Sequence, residues 1–301
     1  MGILLFIYLI SNSFPADAHR DKIYQFVKSQ KHFIQSIFKT LKGPSVDSLL
    51  ENLFALAIEA EDLPMVKSLI KAGANVDANN CKFKHCPIPM TPLQLACLRN
   101  NATLVQELIT AGAEIDAPES GWKCSAILLA IYGHEQLSIG SAIQCAAESG
   151  SFEAVQILLM HEANPDAVTK TCPHTALQIA SRNGSKGIAE LLIASGANVN
   201  APPAKQFGAT ALQFAALGGY LGVAHLLIEH GADVNASPAE VDGRTALEGA
   251  AEYGRIDMVQ FLVDAGADLS GAGDAQYERA LARAYNNGHH ATRRLLLSYL
   301  S

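Results

Sequence analysis

Residues 210–236 read Thr-Ala-Leu-Gln-Phe-Ala-Ala-Leu-Gly-Gly-Tyr-Leu-Gly-Val-Ala-His-Leu-Leu-Ile-Glu-His-Gly-Ala-Asp-Val-Asn-Ala, and the same design starts again at Thr245. The second copy, residues 245–269, reads Thr-Ala-Leu-Glu-Gly-Ala-Ala-Glu-Tyr-Gly-Arg-Ile-Asp-Met-Val-Gln-Phe-Leu-Val-Asp-Ala-Gly-Ala-Asp-Leu. The offset of 35 residues falls in the range of stacked structural repeats. Thr210 is placed to cap a short helix by accepting a bond from an orphan backbone N–H. Leu212, Ala215 and Ala216 then share one helical face. Gly219 supplies the positive φ that ends this helix and turns the chain. A second helix carries Val223, Leu226, Leu227 and Ile228 on its apolar side and stops at Gly231. Neither helix is long enough to bury that side alone, so each unit needs its neighbour.

Outward from this pair, aligning the alanine of each first helix gives unit starts at Asn52, Thr91, Ser141, Thr175, Thr210, Thr245 and Arg279. About seven units exceed the three or so that such a stack needs to be stable. The first unit lacks the capping Thr but keeps Gly73-Ala74-Asn75-Val76-Asp77. In the last, Arg293 and Arg294 replace the apolar or neutral residues of earlier second helices, as a solvent-facing cap requires.

The shared hexapeptide resembles the Thr-Pro-Leu-His-x-Ala signature of the ankyrin repeat, matched best by Thr91-Pro92-Leu93-Gln94-Leu95-Ala96. The resemblance covers residues from about 50 to 300. It implies an all-α solenoid of about seven helix-turn-helix units with an N-terminal helical cap. Residues 49–301 form the array and residues 1–48 an apolar and basic amphipathic helical segment. Residues 243–252, Gly-Arg-Thr-Ala-Leu-Glu-Gly-Ala-Ala-Glu, are similar to terminal units of fungal ankyrin proteins.

Residues 2–10 are an apolar run too short to span a bilayer as a helix. The run reads as a helix packing on the next segment of the chain. A secretory signal is the alternative, with Ala16-Asp17-Ala18 as cleavage site but no cationic start. Residues 20–42 place Ile23, Phe26, Val27, Phe33, Ile34, Ile37, Phe38 and Leu41 on one stripe, flanked by six Lys/Arg. That pattern fits a cap over the first repeat, or a membrane-surface helix.

The net charge of −7 conceals a basic start, because residues 1–42 hold six Lys/Arg against two Asp. An acidic array is a poor partner for phosphate backbones, which argues against nucleic acid. Six cysteines, two of them (Cys97 and Cys145) inside helices, suit a reducing compartment, so the chain is expected in the cytoplasm or nucleus.

Two connections are long. One precedes Thr91. The other, after Asp116, contains Trp122, and its residues 125–132 read as an extra helix. Insertions in repeat proteins fall on loops of one face, often the binding face. Phe83 and Trp122 are therefore candidate anchors, or simply cover the insertions. Cys81, His85, Cys86, Cys124, Cys172 and His174 all fall in loops on one edge. They read as unpaired loop side chains; a structural zinc site would need four of them to converge. No cofactor is expected. The sequence has no Gly-x-Ser-x-Gly elbow, and residues 184–187 lack the spacing of a P-loop, so no catalytic residue is assigned. Asp233 and Asp268 recur once per unit and read as turn formers; His289 and His290 read as a solvated pair.

Partners of the ankyrin family usually dock on finger tips and on the concave face of the first helices. Carried onto this chain, the variable positions include Met90, Arg99, Glu148, His174, Arg182, Ala209, Leu217, Arg244, Glu252 and Tyr253, with Gln206 and Phe207 on a finger tip. The resemblance implies a non-catalytic scaffold that binds another protein. A membrane-associated adaptor using residues 1–42 and a secreted effector are the alternatives.

Overall fold

The computed structural model describes residues 44–78, 90–117, 140–170, 172–206, 208–269 and 276–299. Phe83, Trp122, Phe207, the expected helix at residues 125–132 and the amphipathic segment before residue 43 lie outside them. Cys81, His85, Cys86 and Cys124 do too. The chain divides into two compact units, residues 1–139 and 140–301.

In the first unit, α1 (Pro44–Glu59) and α2 (Leu63–Lys71) form one pair. A second pair is α3 (Pro92–Leu98) with α4 (Ala102–Thr110). The core side chains Leu53, Phe54, Ile58, Met65 and Leu69 of the first pair are all at most 2% exposed, as are Leu93, Leu104 and Leu108 of the second. Residues 44–48 already belong to α1, whose first residue is Pro44, where a missing N–H costs nothing.

The second unit repeats this plan five times. Its pairs are α5 (Ala142–Glu148) with α6 (Phe152–Met160), α7 (Ala176–Arg182) with α8 (Lys186–Ala194), and α9 (Ala211–Gly218) with α10 (Leu221–Glu229). Then come α11 (Ala246–Glu252) with α12 (Ile256–Asp264), and α13 (Gln276–Asn286) with α14 (His290–Ser298). Each first helix packs on the first helix of the next pair, and each second helix on the next second helix. Ala146, Ala180, Ala215, Ala250 and Ala284, one per first helix, are fully buried in that seam. A larger side chain would hold the helices apart.

The first helices begin alike. Thr210 Oγ1 accepts from the N–H of Gln213 at 3.3 Å, while Gln213 Oε1 accepts from the N–H of Thr210 at 2.9 Å. Thr91 with Gln94 and Thr175 with Gln178 close the same reciprocal box. The glutamine then uses its remaining donor on the finger of the following pair. Gln144 Nε2 donates to the carbonyls of Cys172 and His174, Gln178 Nε2 to Ala201 and Pro202, and Gln213 Nε2 to Ala236 and Ser237. One buried side chain thus satisfies its own helix start and ties down the next finger, leaving few polar groups unpaired.

Gly219 ends α9 in the left-handed region at φ +77°, where a Cβ is disfavoured and would also meet the Arg255 side chain of the next pair. His289 lies in the equivalent way against the turn of the preceding pair, so it is packed rather than solvated, while His290 is exposed. The finger Asp and Asn residues are turn formers, as expected. Asn235 N–H donates to Asp233 Oδ1 at 2.9 Å, and Asp268 N–H donates to Asn235 Oδ1 at 2.9 Å, linking one finger to the next. Among the described residues the strand content is one isolated parallel bridge, Gln206 with Val241. No helix among them is long and apolar enough to cross a membrane.

Candidate functional site

The first helices of the second unit end side by side, and their last turns carry Glu148, Arg182, Leu217 and Glu252 in register. Every such turn is held to its neighbour. Arg182 Nη2 donates to Glu148 Oε2 at 2.6 Å, and Asn183 Nδ2 donates to the Glu148 carbonyl at 3.4 Å. The Arg182 guanidinium also stands 5.9 Å above the Phe214 ring, close enough for a cation–π contact. His174 meets the same ring edge-on at 5.4 Å. Glu148, Arg182, His174 and Phe214 therefore form one ordered patch across α5, α7 and α9.

His174 is set back within this patch at 7% exposure. Burial, and then the Arg182 charge, hold its imidazole below the ordinary histidine range, so it stays neutral. Met90 and Ala209, at the same place before the capping Thr, are buried as well. At His174 the chain turns inward, and its carbonyl accepts from Gln144 Nε2 at 2.6 Å. Surface variability at this position, implied by the family resemblance, thus does not carry over to His174.

A second patch spans α11 and α13. Arg244 Nε donates to Glu252 Oε2 at 2.5 Å, and its Nη1 donates to the carbonyls of Asp242 and Gly243. The hydrogen bond to Glu252 raises the Arg244 pKa above its already high value. Arg283 Nη1 reaches the same Glu252 oxygen at 3.1 Å. Beneath lies Glu248, a carboxylate with a 2% exposed side chain, bonded by Arg279 Nε at 2.8 Å and 3.4 Å from Arg283 Nε. Glu248 replaces the glutamine of the earlier units and cannot donate to a finger carbonyl. The last pair is instead held by charge. Tyr253, one residue beyond Glu252, caps α11 and is 54% exposed.

Gln206 sits exposed on a finger whose Lys205 carbonyl accepts from the Val241 N–H of the next finger at 3.1 Å. Val241 is itself 44% exposed, a tip residue that the sequence pattern does not single out. In the first unit, Arg99 caps α3 and is exposed. Of the expected positions, then, Glu148, Arg182, Glu252 and Tyr253 share the first-helix ends, Arg244 reaches that end from the start of α11 through its bond to Glu252, Gln206 lies on a finger, and Arg99 belongs to the other unit.

The charged groups of this face are matched to one another, which fixes their shape. Cys172 and His174 are buried, and among the described residues no group of three His, Cys, Asp or Glu is placed to hold a metal ion.

A family model described as "Ankyrin repeats (3 copies)" matches residues 53–139, 142–238 and 202–273. The chain is 27% identical over 161 residues to the fowlpox virus ankyrin repeat protein FPV232, a match covering 48% of this chain and 32% of that one. It is 32% identical over 171 residues to the mouse B-cell lymphoma 3 protein homolog, covering 56% and 34% respectively. The match to YahD, an ankyrin repeat protein of Escherichia coli, is 30% identical over 151 residues and covers 48% and 64%. The chain thus spans about a third of the length of two of these relatives and just under two thirds of the other. They come from a virus, a mammal and a bacterium, and none bears on a fungal source. The crystal structure of the human ASB11 ankyrin repeat domain superposes with a TM-score of 0.55 at 21% identity, covering 76% of this chain and 96% of that one. At that identity the likeness speaks for the fold.

Proposed function

The chain belongs to the ankyrin repeat family, and on that premise we propose that it is a non-catalytic scaffold that holds another protein across the first-helix ends and finger tips of its second unit. The observation that carries this reading is the state of that face. Arg182 is bonded to Glu148 and Arg283 to Glu252 between neighbouring first helices, Arg244 is bonded to Glu252 along α11, and Tyr253 stands exposed beside them. A surface ordered before contact loses little conformational entropy on docking. An exposed tyrosine at its edge offers large rigid contact area. Phe83, Arg99, Trp122 and Phe207 are further candidate contacts, each to be tested apart from this face.

Cys97, Cys145 and Cys172 are buried, where a thiol behaves as a small hydrophobe; this use of cysteine fits a reducing compartment, and we place the protein in the cytoplasm or nucleus. The test is site-specific photo-crosslinking in a lysate of its own cell type, with a photoreactive residue at Tyr253, at Glu148, or at Glu190 on the second-helix side. Adducts to one protein from positions 253 and 148 are expected. Adducts from position 190 alone would move the interface to the other face.

A further inference from the structure

The last helix carries a surface that the first-helix face does not use. In α14, His290, Arg293, Arg294 and Leu297 follow the spacing i, i+3, i+4, i+7, which sets them on one side of the helix. All four are exposed, Leu297 at 45%. Thr292 and Leu296 take the opposite side and are buried. Tyr285 of α13, 58% exposed, joins the exposed stripe. The Arg293 guanidinium stands 5.1 Å above its ring, and the His290 ring meets it edge-on at 6.3 Å. An aromatic side chain and a leucine thus lie open beside two arginines.

Charge sets this stripe apart from the rest of the array. Residues 43–289 hold 27 Asp and Glu against 14 Lys and Arg, whereas α14 has two arginines and no carboxylate. Elsewhere in the second unit four of the five arginines pair with carboxylates, Arg182 with Glu148, Arg244 with Glu252, Arg279 with Glu248, and Arg283 with both Glu248 and Glu252, while Arg255 donates to the Leu217 carbonyl. Among the described residues, no carboxylate forms an ion pair with Arg293 or Arg294. Glu278, exposed on α13, lies two turns before Tyr285 on the same side of that helix. A surface serving only solubility has no need to expose Tyr285 and Leu297, and in a chain this acidic it has no need of unmatched cations.

We propose that the Tyr285–His290–Arg293–Arg294–Leu297 stripe is a second docking surface, and that its occupant is an acidic segment of a partner protein with apolar side chains among its carboxylates. The arginines would take the carboxylates by charge-assisted, two-point hydrogen bonds, and Tyr285 and Leu297 would cover the apolar positions. None of these five residues belongs to the face proposed at Tyr253.

The test uses the full chain and a short fluorescein-labelled peptide of alternating Glu and Leu, followed by anisotropy. A Lys–Leu peptide and a Glu–Ser peptide serve as controls. The Glu–Leu peptide is expected to bind more tightly than either control, and more weakly as salt is raised. Arg293→Ala with Arg294→Ala should weaken it about tenfold or more, since both charge contacts are lost. Tyr285→Ala should weaken it further, while Tyr253→Ala leaves it unchanged. Circular dichroism and melting of each variant should match the wild type, because all these side chains point into solvent. Equal binding of the Glu–Leu and Glu–Ser peptides, or Glu–Leu binding unaffected by the arginine pair, would overturn the proposal. So would self-association of the chain that the arginine pair abolishes, or binding of phosphatidylserine vesicles without binding of the peptide. The first of these would make a second copy the occupant, and the other a lipid surface.

Discussion

Replacing Glu248 gives a sharp test of how the last repeat is held. In the earlier pairs a glutamine at this position closes the helix cap and ties down the next finger. Glu248 instead accepts from Arg279 at 2.8 Å and lies against Arg283, across the contact between α11 and α13. Glu248→Ala removes a charge-assisted bond worth about 1.5–3 kcal/mol. The arginines left behind are 40% and 27% exposed, so water takes them up and the roughly 3–5 kcal/mol cost of a fully buried broken pair is not reached. A loss of about 2 kcal/mol is expected. At roughly 2–4 °C per kcal/mol for an array of this size, the melting midpoint should drop by about 4–8 °C. Glu248→Gln keeps the volume and can close the cap with Thr245 as Gln213 does with Thr210, so its cost should be about half as large. In a stack with nearest-neighbour coupling the damage is local. Hydrogen exchange should therefore speed up in α13 and α14 first and leave α7 and α9 at wild-type rates. Glu248→Ala with wild-type melting and exchange would refute the reasoning, because the carboxylate would then contribute nothing to holding the last pair.

Ala215→Glu should unfold the second unit, since the methyl group is fully buried in the helix seam and a carboxylate there finds no partner; loss of helical circular dichroism at 25 °C reads this out. Gly219→Ala should cost about 1 kcal/mol in urea melts for the left-handed backbone, and Arg255→Ala added to it should recover only the steric part. Tyr253→Ala should leave the melting midpoint unchanged and weaken the crosslinked partner's binding, whereas Arg244→Ala should change both, because Arg244 is bonded to Glu252 and to the finger backbone. His174 titrates below its unfolded value, so protons bind the unfolded chain first, and its contribution to stability falls as pH drops through about 6.5 towards the lowered folded value. Urea midpoints of wild type and His174→Asn at pH 7.5 and 5.5 should differ in slope with pH; equal slopes would remove His174 as the cause.

The fold was legible because its determinants are local and repeated. Thr210, Ala215, Gly219 and Gly231 each do one local task, and the 35-residue offset makes every task recur. The glutamine at the third helical position also recurs, in Gln94, Gln144, Gln178 and Gln213, but its second role could not be read from the chain. That role depends on carbonyls 23 to 30 residues away, and only the stacking brings them within reach. The same limit applies at the candidate site. Arg244, Glu252, Glu148 and Arg182 were identifiable as surface positions, yet the pairing of Arg182 with Glu148 is set by the distance between neighbouring first helices, and that of Arg244 with Glu252 by how the finger backbone turns into α11. His174 illustrates the reverse case. Its position in the repeat reads as surface, while the inward turn of the backbone, needed to reach Gln144, buries the ring. Glu248 differs from the glutamine of the earlier units by one donor, and that loss changes the attachment of the whole last pair.

Hydrogen exchange across the second unit, with and without the protein captured at Tyr253, tests the central claim most directly. Slowed exchange at the ends of α5, α7, α9 and α11 and at residues 205, 206 and 241, with α6, α8, α10 and α12 unchanged, is the predicted result. Slowing confined to those second helices would contradict it.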